Sequence, residues 1–251
     1  MFDPAKYATV TIVDRQDLDD HLWIIRVRPD CDLAYRPGQY VTLGMARNGH
    51  VVERPYSIAS APTEEAIELF LEKVPGGELS EPLHGLEIGT EMLVRKRPKG
   101  IFLKDAPLVD QAHLLVATVT GVAPYVSMLR AVAQRWREGA WPGTHPMILL
   151  HGASFVHELG YMDELHALDA ECPWFQYVPM ISRPWERPDW MGETGRVEDV
   201  VRKYADAAGM VPGGAAVFAC GHPDMIHKVH AIMLRRGFSI KEMHEERYWP
   251  D

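Results

Sequence analysis

The hydrophobic pattern of this chain changes period near residues 105–110, and that change limits the fold more than any other feature. Ahead of it, apolar residues recur in short, β-rich runs at residues 7–13, 21–27, 39–43, 51–60, 66–74 and Glu91–Arg95. Alternation of period two suits strands with one buried face. The runs are parted by turn formers: Asp17-Leu18-Asp19-Asp20, Pro37-Gly38, Pro75-Gly76-Gly77 and Ile88-Gly89-Thr90. One short helix fits near residues 79–86. Short strands at this spacing predict an antiparallel β-barrel.

Behind the change, His113-Leu114-Leu115-Val116-Ala117 is a near-continuous apolar run, the mark of a strand buried on both faces. Residues 123–137 then place Val126, Leu129, Ala133 and Trp136 on one helical face. Strands at 147–150, 175–179 and 215–219 alternate with helices at 158–168, 197–204 and 225–236, which predicts a doubly wound parallel sheet. The expected organisation is two-domain, β followed by α/β, over residues 1–106 and 107–251. A length of 251 residues suffices for two cores of ordinary size.

Composition excludes several classes. No run of about 18 apolar residues is present, so no helix is expected to span a membrane. The N-terminal residues show no basic-then-apolar leader, which makes the cytoplasm the expected compartment. A net charge of −9 opposes nonspecific nucleic-acid binding. Against that mean, Arg95-Lys96-Arg97-Pro98-Lys99 and Lys104 put five cations within ten residues. The cluster is either a solvated loop or a docking patch for an acidic partner. Cys31, Cys172 and Cys220 form no CxxC and no four-cysteine set, so a resident iron–sulfur cluster is not expected. His227 and His230 share a helix face but lack accompanying carboxylate ligands, and no metal site is expected.

Four stretches carry ligand chemistry. In Arg54-Pro55-Tyr56-Ser57, a fork of cationic donors, a flat ring and a small hydroxyl follow one another along a strand. Pro75-Gly76-Gly77-Glu78-Leu79-Ser80 is either a plain turn with Ser80 as a helix cap or a cradle of backbone N–H groups for an anion. Thr118-Val119-Thr120-Gly121 leaves the first parallel strand, with Pro124 starting a helix, where open α/β sheets bind ligands. Cys220-Gly221 leaves another strand near a helix start that would polarise the thiol; packing is the alternative.

Taken in order, with the ending Arg247-Tyr248-Trp249, these stretches resemble the ferredoxin–NADP⁺ reductase family, in particular its compact bacterial branch acting on ferredoxin or flavodoxin. The likeness spans nearly the whole chain. It implies FAD in the barrel, with Arg54 on the pyrophosphate, Tyr56 on the isoalloxazine and Ser57 near N5, where hydride arrives. Ser80, with the N–H groups after Gly77, would hold phosphate, Pro55 and Leu79 belong to the same FAD-binding stretches, and Tyr248 and Trp249 become stacking candidates over the flavin or its adenosine end. It further implies NADP on the parallel sheet: Thr118, Gly121 and Cys220 line the nicotinamide pocket, while Ser182, Arg183 and Arg196 take the 2′-phosphate. Ser57 and Cys220 are the catalytic candidates.

A flavin links two-electron nicotinamide chemistry to one-electron carriers. Arg95, Lys96, Arg97 and Lys99 would then steer an acidic ferredoxin or flavodoxin to a monomeric reductase. Two departures bear on the nucleotide. Val119 stands where the family's Thr-Gly-Thr-Gly run has a glycine, and Ser154 where some bacterial members carry an arginine. An NADH-preferring reductase component of an oxygenase, or a flavin-binding electron-transfer subunit without turnover, therefore remains the alternative.

Overall fold

The structure is a computed structural model and describes residues 3–47, 49–104 and 111–248. The chain divides into two compact units, Met1–Lys104 with Ala123–Ala131, and Asp105–Val122 with Val132–Asp251. The expected boundary at 106/107 falls outside the described residues. Residues 123–131, grouped by sequence texture with the second half, cluster with the first unit.

The first unit is an antiparallel barrel. Strands β1 (Tyr7–Asp17), β2 (Leu22–Pro29), β3 (Tyr40–Arg47), β4 (His50–Ser57), β5 (Ile67–Glu72) and β6 (Glu91–Arg95) follow the order β4-β3-β6-β1-β2-β5. The two ends of that order meet where Ile58 bridges Leu69 and Ala59 N–H donates to the Glu68 carbonyl at 2.8 Å. Closure leaves no edge to cap. Val10 and Ile12 of β1, and Trp23, Ile25 and Val27 of β2, recur at every second position and fill the interior. The short helix expected near residues 79–86 is α1 (Ser80–His84), followed by Gly85 as its C-cap.

The second unit carries β7 (Ala112–Thr118), β8 (Met147–Ala153), β9 (Phe175–Ile181), β10 (Glu193–Thr194), β11 (Ala215–Gly221) and β12 (Met243–Arg247), ordered β10-β9-β8-β7-β11-β12. Every pairing is parallel. Helices α2 (Ala123–Arg137), α3 (Met162–Glu171), α4 (Val197–Ala207) and α5 (Pro223–Arg235) connect the strands. β7, β8 and β11 are buried along almost their full length, as their apolar composition requires. The strand order reverses beside β7, with β8 on one flank and β11 on the other, which creates a switch point at its carboxyl end.

Some details differ from expectation. α3 begins at Met162, four residues beyond 158, because Tyr161 takes a left-handed φ of 66° that no continuous helix passes through. β10 and β12 were not expected at all. Among the described residues no helix is long and apolar enough to cross a membrane, and no cluster of three or more metal-ligating side chains occurs.

Candidate functional site

In the first unit, the end of β4 and the turn before α1 come together. Arg54 Nη2 pairs with Glu78 Oε2 at 3.1 Å, and Nη1 donates to the Glu53 carbonyl at 2.8 Å. Arg47, at the end of β3, donates to the Glu78 carbonyl at 3.0 Å. Two exposed guanidiniums thus converge on one turn. Arg47 was missed in the sequence, because only the β3–β4 hairpin register brings it there.

The turn itself is built on Gly77. A Cβ there would overlap Ser80 Oγ and lie 2.9 Å from the Val74 carbonyl oxygen. Ser80 is buried, and its Oγ accepts from Val74 N–H at 3.1 Å. Its hydroxyl thus helps to shape the turn. It is not the cap of α1, a position held by Leu79 with no side-chain bond. The Leu79 side chain lies in the barrel core, which leaves only its backbone to a ligand. Gly76, with a left-handed φ of 73°, faces open space.

Tyr56 rests partly buried against the barrel core, and burial pushes its phenol up to about 12, so the ring is neutral at physiological pH. Ser57 is buried beside it and Pro55 is exposed. Exposed arginines at an open glycine turn, next to a neutral flat ring, fit a group combining a pyrophosphate with an aromatic system.

In the second unit, the switch point joins the other candidates. Gly121 packs so closely on β11 that a Cβ would overlap the Cys220 carbonyl oxygen and lie 3.1 Å from the Gly221 Cα. Gly221, at φ 126°, leaves no room for a side chain beside Thr118 Oγ1, which accepts from His222 N–H at 2.9 Å. Thr118, Gly121 and Cys220 thus meet at one place. Cys220 is fully buried, and burial, with the Glu246 carboxylate second, pushes its thiol well up. The polarised thiol expected from the nearby helix start is corrected to a neutral S–H: desolvation outweighs the helix end.

Tyr248 lies on the same spot. It hydrogen bonds with the Cys220 side chain, its N–H donates to the Gly221 carbonyl at 3.3 Å, and its hydroxyl reaches the Thr120 carbonyl at 3.5 Å. Trp249 lies outside the described residues. Val119 has a left-handed φ of 45°, a conformation that glycine adopts freely and a β-branched residue rarely does.

The third group depends on β10. Thr194 pairs with Ile181, and Gly195 N–H donates to the Ile181 carbonyl at 3.0 Å. Ser182-Arg183 and Gly195-Arg196 therefore leave adjacent parallel strands side by side. Arg183 N–H donates to the Ser154 carbonyl at 3.1 Å, and its guanidinium lies 4.9 Å from the Phe155 ring centre. Phe155, not foreseen in the sequence, supplies a face for that cation where an arginine at 154 is missing. Arg196 is exposed at the start of α4, its N–H held by Asp199 Oδ2 at 3.1 Å. Two arginines and a serine carried at adjacent strand ends suit a phosphate dianion.

The basic cluster divides. Arg95 Nε donates to Glu53 Oε1 at 2.6 Å and Nη2 to the second carboxylate oxygen, while Lys96, Arg97, Lys99 and Lys104 are exposed.

Residues 11–103 match the oxidoreductase FAD-binding domain family and residues 115–231 the oxidoreductase NAD-binding domain family. Among curated relatives, a ferredoxin–NADP reductase of Pseudomonas aeruginosa is 30% identical over 237 residues, covering 88% of this chain and 87% of that one. Ferredoxin–NADP reductase B of Sorangium cellulosum is 38% identical over 218 residues, 85% of each chain. Among solved structures, a ferredoxin–NADP⁺ reductase of Neisseria gonorrhoeae with bound FAD and NADP aligns with TM-score 0.82 and 22% identity over 97% of this chain and 99% of that one. This last likeness concerns the fold.

Proposed function

The chain belongs to the ferredoxin–NADP⁺ reductase family, an FAD-dependent oxidoreductase working with NADP(H), and we propose which of its residues hold the reacting groups and which carriers it serves. FAD, when bound, supplies what these side chains lack: it accepts two electrons together and releases them singly. Residues 1–106 form the FAD domain and residues 107–251 the NAD(P) domain. Arg54 and Arg47 hold the pyrophosphate against the Gly77–Ser80 turn, and the neutral ring of Tyr56 packs on the isoalloxazine. Ser57 offers its hydroxyl to the reacting edge.

Thr118, Gly121 and Cys220 line the nicotinamide pocket. A neutral, buried thiol gives that pocket a polarizable wall that is not nucleophilic. Ser182, Arg183 and Arg196 select the 2′-phosphate. The acceptor is ferredoxin or flavodoxin, met by a monomer in the cytoplasm through Lys96, Arg97 and Lys99.

The observation that carries this proposal is the contact of Gly121 with Cys220 at the strand-order switch, which brings together strand ends about one hundred residues apart in the chain, where open α/β sheets bind ligands. Its test is an absorption spectrum of the purified protein before and after anaerobic NADPH, then NADH. A yellow protein bleached faster by NADPH is expected. Exchanging both Arg183 and Arg196 for alanine should raise KM for NADPH at least about tenfold and leave NADH unaffected. A colourless protein that takes up no FAD, or a yellow one bleached by neither nucleotide, sinks the proposal; preference for NADH in the native protein removes the 2′-phosphate role.

A further inference from the structure

A strained residue at a ligand turn asks what keeps it strained. Val119, at φ 45°, is a β-branched residue in the left-handed region, where its Cβ crowds the neighbouring peptide. Such outliers persist only when their surroundings over-determine them. The surroundings are two side chains that the proposed function has not used. His151, at the carboxyl end of β8, is fully buried, with Nε2 3.0 Å from the Val119 carbonyl oxygen and Nδ1 3.1 Å from the Tyr177 hydroxyl of β9. A carbonyl only accepts, so Nε2 carries the proton and Nδ1 receives the Tyr177 O–H. The chain Tyr177 → His151 → Val119 runs in one direction across three adjacent strands or their ends.

The consequence lies in the peptide after Val119. It is trans and planar, so fixing its carbonyl toward His151 turns the Thr120 N–H to the opposite side. We infer that His151, backed by Tyr177, is a positioning residue for the dinucleotide: it latches the Val119 peptide in its strained orientation and so presets the Val119–Thr120–Gly121 turn for the ligand. The inference rests on that turn being the nucleotide site. Burial alone would make His151 a packing residue. A hydrogen bond to the carbonyl of the single strained valine in the turn gives it a more specific task. The same bond explains how valine can stand where the family has glycine. A glycine adopts this conformation unaided; valine needs the latch.

That contrast supplies the test. FAD-loaded enzyme is assayed with NADPH and an artificial one-electron acceptor, ferricyanide, and KM and kcat are compared for His151→Leu, His151→Gln and Tyr177→Phe. Each is made in the native and in the Val119→Gly background. His151→Leu should raise KM for NADPH about tenfold with kcat within about twofold, the size expected for loss of one buried hydrogen bond to a ligand-shaping group. In the Val119→Gly background the same change should raise KM by less than about threefold, because the conformation no longer needs holding. His151→Gln, whose amide nitrogen reaches the position of Nε2, should restore most of the native KM.

Equal factors in the two backgrounds, or a lowered melting temperature with KM unchanged, overturn the inference. Should His151→Leu fail to fold, Tyr177→Phe removes a single hydroxyl and carries the same comparison, with a rise of about threefold expected in the native background only. A native protein that NADPH cannot reduce would overturn the nucleotide site itself. One that NADPH reduces, with additive costs across the cycle, would overturn the latch alone.

Discussion

The Arg95 guanidinium lies across the Glu53 carboxylate with Lys6 3.8 Å away, and these cations hold the Glu53 carboxyl down at about 2, against a usual 4.5, with the Arg95 hydrogen bonds the largest cause. The two side chains sit on β6 and β4, which do not pair with one another but flank β3. Their bond therefore ties the barrel across a strand. An unfolded chain takes up a proton near pH 4.5 that the folded one refuses until about pH 2. The stabilisation is thus complete above pH 4.5 and is lost as pH falls toward 2. Arg95→Ala should lower the melting temperature at pH 7 by removing roughly 1–2 kcal/mol, and should flatten the acid limb of the stability curve in that window. Unchanged melting curves at pH 7 and pH 3 would show the pair to be inert. Nothing in the sequence around Arg95 announces this. The residue reads as one cation among five, and its partner stands forty-two positions earlier. A charge run shows where cations are, whereas the register of distant strands decides which of them are already spent.

Elements divide in the same way between local and non-local signals. The barrel strands and the parallel core strands were legible because each one's burial is written in its own alternation or its own apolar run. β10 is two residues long, and β12 reads Met-His-Glu-Glu-Arg with only Met243 buried, so neither has a pattern to read. Without β10, grouping Arg196 with Arg183 rested on the family resemblance alone; the pairing of that strand with β9 gives it a structural reason. The turn before α1 shows the reverse case, legible as a glycine turn while the bond that shapes it was not: buried Ser80 Oγ accepts from Val74 N–H six positions back. Gly77→Ala therefore makes a sharp prediction at this scale. The new methyl overlaps Ser80 Oγ and presses within 2.9 Å of the Val74 carbonyl, so the Ser80–Val74 bond must break or the turn must open. A cost of about 1–3 kcal/mol is expected, with FAD retained less well through gel filtration and a dissociation constant raised at least about fivefold. Native FAD affinity in that variant would mean the turn does not shape the phosphate site.

For the molecule as a whole, the question is how a chain of net charge −9 would attract an acidic carrier. Summed charge alone predicts repulsion. At physiological ionic strength, however, interactions fade over a Debye length of about 8 Å, so a carrier close to the surface responds to nearby charges rather than to the total. Lys96, Arg97, Lys99 and Lys104 are exposed on the first unit, with Ile101 among them 80% exposed as an apolar contact. Arg95 is excluded because Glu53 neutralises it. Replacing Lys96, Arg97 and Lys99 together by glutamate should raise KM for a ferredoxin or flavodoxin about tenfold at low salt and leave KM for NADPH as it was. The dependence on salt should also change sign. In the native protein added salt should weaken carrier binding, because attraction is screened. In the variant it should strengthen binding, because repulsion is screened. A carrier KM that follows the same salt curve in both proteins would place docking elsewhere on the surface, whereas the opposite slopes would show that a local patch outweighs the net charge.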